Sequence, residues 1–372
     1  MDPQAQFCHN PACAASGQVG QGNIVVHSRK ERRYKCETCG RTFAASKDTP
    51  LYRRHKSVER YPLVVTLVCH GCPPQAVVAA FGLDERTVWD WVAKAGAHCQ
   101  QVHEHVVAGG QVELGCVQAD ELWVKMVGKR VWMALALCVP SRLWLGGVVS
   151  GQRDKRLVGT LARLVRACAE RTSVLVCTDG FASYLGAFRR AWRRPEHTGR
   201  RGRPRLVAEP GLLLAQAVKQ YVQKRAVGVR GRVAQGAPHA VAAALAATGA
   251  GARINTAYIE RLNATFRARL VPLVRRTRAL ARKETVLSAG MWLVGTTYNF
   301  CWPHQSLRLV AGAGAPHHWC ARTPAMAAGL TDHPWSVEEL LRYQVPPPAG
   351  RTPQGQRRPP KRVLEPPLKL AA

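Results

Sequence analysis

Three carboxylates in three different local settings constrain this chain more than any other feature. Asp120 lies in V-Q-A-D-E-L-W-V (117–124), an alternating stretch that reads as a strand. Asp179 closes the short apolar run V-L-V-C-T-D-G (174–180), and Glu260 stands in T-A-Y-I-E-R-L-N-A-T-F-R (256–267), which reads as a helix. Two strand-borne aspartates and a helix-borne glutamate are the means by which a fold holds a pair of divalent metal ions against a scissile phosphodiester.

The flanking pattern says how they meet. Residues 112–124, 129–139 and 143–150 read as three antiparallel strands. Leu157, Leu161, Leu164 and Val165 put one apolar face on a helix, and 174–177 is the next strand. Three antiparallel strands, a helix and a strand returning beside the first give the order of an RNase H-like core, where Asp120 and Asp179 would be neighbours. Asp120 and Glu121 are adjacent in a strand and point to opposite faces, so only one of them is expected at a given site. Thr256 is the expected N-cap of the last catalytic helix. Asn263 and Arg267, three and seven positions after Glu260, share its face, with Arg267 placed to contact a phosphate. Glu209 is a rival for the third acid, in the turn-like setting Ala-Glu-Pro-Gly.

Two modules precede this core. Cys8-x4-Cys13 and Cys36-x2-Cys39-Gly40 can form two knuckles that give one structural zinc tetrahedral thiolate ligation. Gly40 suits the left-handed conformation such a knuckle needs. Cys69-His70-Gly71-Cys72 looks similar, but Leu63, Val64, Leu67 and Val68 run into it as an apolar stripe, so it reads as a helix end. A helix over 58–69, a second from Pro73 stopped by Gly82, and a third over 85–97 capped by Asp84 have the layout of a helix-turn-helix. Val88, Trp89 and Val92 of the third helix are available for packing, while Arg86, Thr87, Asp90 and Lys94 are expected on or near its exposed, DNA-binding face. A plain helical bundle remains the alternative.

Composition names the partner. The chain has 54 Lys and Arg against 23 Asp and Glu, a formal charge of +31, and self-repulsion on that scale is easiest to tolerate beside a polyanion. No apolar run reaches the roughly 18–20 residues that span a bilayer, and the N-terminus lacks a signal-peptide pattern. A cytoplasmic, nucleoid-associated chain with reduced cysteines is expected, with no membrane partner. The whole reads as an α/β multi-domain protein. A zinc ribbon (1–50) and a helix-turn-helix domain (51–108) come first. An RNase H-like mixed sheet flanked by helices (109–330) follows, with a basic insertion over about 191–250 before the last catalytic helix. A segment over 331–372 ends in a basic, Pro-rich tail expected to be disordered.

These residues carry a family likeness. F-C-H-N-P-A-C (7–13), R-Y-K-C-E-T-C-G-R-T-F (33–43), D-E-L-W (120–123), T-D-G-F-A-S-Y (178–184) and E-R-L-N-A-T-F-R (260–267) resemble, in order, bacterial insertion-sequence DDE transposases of the insertion-element-one type. Tyr298-Asn299, Pro303-His304-Gln305-Ser306-Leu307 and Thr323-Pro324-Ala325 resemble the ending of related enzymes. The resemblance implies a transposase that binds terminal inverted repeats of double-stranded DNA as a homodimer or larger assembly. Asp120, Asp179 and Glu260 would be its catalytic triad, holding two Mg²⁺ (or Mn²⁺) for cleavage and strand transfer. The long interval between Asp179 and Glu260 departs from that pattern. Two other readings stay open: a DNA-binding regulator with an inactive RNase H-like domain, and an RNase H-like nuclease without strand transfer.

Overall fold

The computed structural model describes residues 1–54, 58–197, 199, 202–223, 225–274, 277–312 and 318–347. The chain divides into two compact units. The tail expected to be disordered from Gln344 lies outside the described residues from 348 on, but its first residue is held: the Gln344 side-chain amide donates to the carbonyls of Ala45 and Lys47 at 3.2 and 3.0 Å.

The smaller unit holds residues Met1–Lys47 and the described segment from Gln344. Strands β1 (Ile24–Ser28), β2 (Arg33–Cys36) and β3 (Thr42–Ala44) form an antiparallel meander. Its core is Ile24, Tyr34 and Phe43 packed around Cys8, Cys13 and Cys36, too few apolar side chains to hold the fold unaided. Gly40 takes φ +70°, which turns the chain so that its N–H donates to the Cys36 carbonyl at 2.8 Å and closes the second knuckle.

The larger unit, Asp48–Tyr343, begins with three helices. They are α1 (Arg60–Cys69), α2 (Pro74–Phe81) and α3 (Glu85–Val106). Gly82, at φ +60°, ends α2, and the Asp84 carboxylate accepts from the Arg86 and Thr87 amides to start α3. Helix α3 runs nine residues past the expected Ala97, because Cys99, Val102 and the buried His98 and His103 extend its apolar face. There it crosses a later helix, α8 (Glu284–Phe300), so closely that a side chain on Gly96 would collide with the backbone of Ala289.

The central sheet starts with β4 (Gly115–Met126), β5 (Lys129–Cys138) and β6 (Trp144–Ser150), all antiparallel. Helix α4 (Lys155–Cys168) leads to β7 (Val174–Asp179), which runs parallel to β4 and beside it. Then come α5 (Ser183–Ala191), a small hairpin of β8 (Arg193–Glu196) and β9 (Arg205–Ala208), β10 (Leu212–Val222) and β11 (Arg225–Gln235). Last are α6 (Pro238–Ala247), α7 (Ala257–Arg269), α8 (Glu284–Phe300), α9 (Pro324–Ala327) and α10 (Val337–Arg342). The six-stranded mixed sheet has the order β11-β10-β7-β4-β5-β6. Helix α4 packs on β5 and β6 and against α5, while α7 packs on β4 and β5 and α6 on β10.

The sequence expectation of an inserted 191–250 needs correction. Only part of that stretch is peripheral. Leu212–Ala217 pair in parallel with Val174–Asp179, and Ala215, Val241 and Leu245 are buried with Cys116, Leu175 and Cys177. The run L-L-L-A-Q-A lacks alternation because both its faces are covered.

Candidate active site

Register places the two aspartates together. Ala119 pairs with Thr178 across the parallel β4–β7 ladder, so Asp120 and Asp179 are the next residues on one face, at the carboxyl end of β7. Crevices outside the carboxyl ends of parallel strands are where open α/β sheets bind ligands.

Glu121 is the correction here. Alternation does send it to the other face, where the Tyr184 hydroxyl donates to it at 2.6 Å and Arg153 bonds it. Yet one oxygen each of Asp120, Glu121 and Asp179 lie within 4.8 Å of one another. The reason is local: β7 stops at Asp179, so side chains from both faces of β4 can bend around its end. Arg153 bridges Glu121 and Asp179, reaching the latter at 3.4 Å, and stacks on Phe181 at 4.1 Å. Sequence reasoning missed Arg153, Tyr184 and the convergence of Glu121. The D-G-F-A-S-Y stretch held a signal for Tyr184, five residues beyond Asp179 at the start of α5.

Helix α7 is set over the Asp120 face by a side chain rather than by its own cap. Thr256 occupies the N-cap position but makes no capping bond; its hydroxyl donates to Glu260 at 3.2 Å instead. The buried Gln118 amide does the capping from the sheet. Its oxygen accepts from the Tyr258 and Ile259 amides at 2.9 and 3.0 Å, and its nitrogen donates to the Asn255 carbonyl at 2.9 Å. One turn on, Asn263 donates to Asp120 at 2.8 Å. Asn263 is 3% exposed and its own Oδ1 is buried without a hydrogen-bond partner, an acceptor left beside the acids. Glu260 lies on this helix but outside the close cluster. Its side chain is 51% exposed and pairs with Lys219 at 3.6 Å. Arg267 is half-buried further along α7. The rival Glu209 is held by Arg166 at 3.0 Å.

The electrostatics suit a cation. Burial, then Glu121 and Asp179, pushes Asp120 up to about 6. Burial also raises Glu121, against the lowering hydrogen bond from Tyr184. Hard oxygen donors crowded in this way, with an unsatisfied amide oxygen beside them, fit Mg²⁺.

The four cysteines of the small unit converge as expected. Their sulfurs lie within 4.8 Å of one another, with Cys8–Cys39 at 3.6 Å and Cys13–Cys36 at 4.0 Å. A tetrahedron with zinc–sulfur arms of 2.3 Å has edges of about 3.8 Å, so the donor set fits zinc. The backbone amide of Arg41 brings Cys39 down to about 6, favouring thiolate.

On α3, Arg86, Asp90 and Lys94 are exposed and Thr87 is half-buried. Asp90 is engaged internally, by Lys94 at 2.8 Å and Arg54 at 3.6 Å. Val88, Trp91 and Val92 pack inward, whereas Trp89, expected among them, stays half-exposed and bonds Glu85 at 3.2 Å. Beside this helix a cavity of about 630 Å³ is walled by Arg269, Arg278, Arg282 and Lys283. Among the described residues, no helix is long and apolar enough to cross a membrane. No protein-family model matches the chain and no curated protein aligns with it.

Proposed function

We propose that the chain is a DDE transposase with an RNase H-like catalytic domain, acting on double-stranded DNA. One observation carries the reading: Asp120, midway along β4, stands beside Asp179 at the end of the parallel strand β7, and the Glu260 helix lies over the same face, tied to Asp120 through Asn263. Asp120, Asp179 and Glu260 would hold two Mg²⁺ or Mn²⁺ ions, with Glu121 close enough to share the centre. When bound, such ions supply an activated water and stabilise the leaving 3′ oxygen. Asn263 orients the Asp120 carboxylate, and Arg267 contacts a phosphate of the scissile strand. The zinc ribbon, with Cys8, Cys13, Cys36 and Cys39, and the α2–α3 pair, with Arg86, Thr87 and Lys94, recognise the terminal inverted repeats. Two ends are processed together by a homodimer or larger assembly.

The regulator reading draws on one observation, the Arg153 guanidinium lodged between Glu121 and Asp179, where it supplies positive charge without a metal. A labelled transposon end incubated with Mg²⁺ and a target plasmid separates the readings. Cutting and joining are expected. Binding without cutting under any Mg²⁺ or Mn²⁺ condition would favour the regulator, and cutting without joining the nuclease.

A further inference from the structure

We infer that the β10–β11 hairpin is an arm that tracks the phosphate backbone of the duplex engaged at the acidic site, an inference that rests on the nucleic-acid reading above. The ladder between β10 and β7 ends where Ala217 pairs with Asp179. The hairpin does not end there. Residues 218–222 continue without β7 and return through β11, with Val218 opposite Arg230 and Val222 opposite Arg225. At 3.4 Å per residue this free portion projects about 17 Å past the acids.

Its chemistry selects the occupant. Arg225 and Arg230 are exposed and, among the described residues, neither has an ion-pair partner. Residues 191–235 contain eleven Lys and Arg but only two acids, Glu196 and Glu209, and Glu209 is already held by Arg166. β11 is an edge strand, and its Val227 and Val229 are 61% and 59% exposed. An open apolar edge invites strand addition, but a second copy would bring arginine rows together. A polyanion meets the arginines, and the valines between them suit the less polar sugar edge. At the base of the arm Lys219 reaches Glu260, so a strand lying along it leads into the proposed centre.

The test compares two double variants of the full chain. Arg225→Ala with Arg230→Ala removes the arm's charge. Arg156→Ala with Arg163→Ala removes equal charge from exposed positions on α4. Binding of a short DNA duplex is measured across a salt series. The arm variant is expected to lose affinity several-fold for end and random sequences alike, with the log–log salt slope shallower by about 2, as two lost phosphate contacts require. The α4 variant should match the parent. Equal losses in both variants, or an unchanged slope in the arm variant, overturn the inference while leaving the transposase reading intact. So does a loss of self-association with DNA affinity retained. A parent chain that binds no duplex overturns that reading and this inference together.

Discussion

In the cysteine module, the groups that fit a metal are also the core: Cys8, Cys13 and Cys36 pack with Ile24, Tyr34 and Phe43. In the acidic site they are additions to a core built from other side chains, since Asp120, midway along β4, and Asp179, at the end of β7, are only partly buried in a six-stranded sheet whose core is apolar. The first arrangement makes metal binding and folding one event. The second leaves the acids in mutual repulsion beside a large apolar core made by other residues.

The largest expected effect breaks the module. Cys36→Ser, or a strong chelator, removes a binding free energy of about 10–16 kcal/mol by the standard of structural zinc sites. Zinc content should fall from one per chain to none, and residues 1–47 should become protease-sensitive while the melting of the larger unit is unchanged. Full zinc retention in Cys36→Ser would contradict the site.

The same kind of substitution at the acidic site should leave the fold alone. Asp120→Asn and Asp179→Asn are expected to cut DNA cleavage and joining below about a thousandth of the parental rate, on the order of 4 kcal/mol of barrier. End binding and zinc content should persist. Asp120→Asn should also raise the denaturation midpoint of the metal-free protein, because it removes a carboxylate that burial and two neighbours disfavour. A lowered midpoint would mean that Asp120 is structural.

Acid sharpens the contrast from the other side. His103 is fully buried between Trp144 and Trp292, bonds the Leu145 carbonyl, and is pushed by burial down to about 4. Between that value and the ordinary 6.5 the unfolded chain binds the extra proton, so stability is full above pH 6.5 and is lost as pH falls toward 4. The loss is about 3 kcal/mol. Urea titrations of the larger unit at pH 7 and 4.5 should show it, and His103→Gln should show less of it. An identical pH dependence in the variant would assign the effect to other groups.

How much was legible follows from what each element depends on. The antiparallel run β4-β5-β6 with β7 returning beside β4, the α2–Gly82–α3 turn and the two cysteine knuckles rest on local spacing and turn chemistry, and the structure shows them where the spacing put them. Long-range side-chain work was not legible. Gln118 reads as an ordinary strand polar residue, yet it caps a helix that begins 139 positions later. Asn299, part of the family-like Tyr-Asn pair, grips both the N–H and the carbonyl of Trp144 at 2.8 Å, which shows a structural use for that motif. The basic composition of 191–250 and the long Asp179–Glu260 interval point to an insertion and hide residues 212–217, a strand covered on both faces that carries no alternation to mark it as part of the sheet.

The smallest expected effect concerns the identity of the third acid. Strand alternation alone makes Glu121→Gln mild, since Glu121 belongs to the face away from Asp120. The structure brings its carboxylate to Asp179, with Arg153 between them and the Tyr184 hydroxyl behind. Groups that orient metal ligands are worth about tenfold to a hundredfold when removed. Glu121→Gln should therefore slow cleavage by that factor, and Tyr184→Phe by less, because it removes one of the bonds that fix Glu121. Glu260→Gln, which removes a proposed ligand, should slow it far more. Glu260 is half-exposed and held by Lys219 at the start of α7, where a carboxylate also favours the helix terminus without any catalytic part. If Glu260→Gln keeps cutting and joining while Glu121→Gln abolishes both, the enzyme class stands. The metal centre is then Asp120, Glu121 and Asp179, the three acids already gathered around the end of β7.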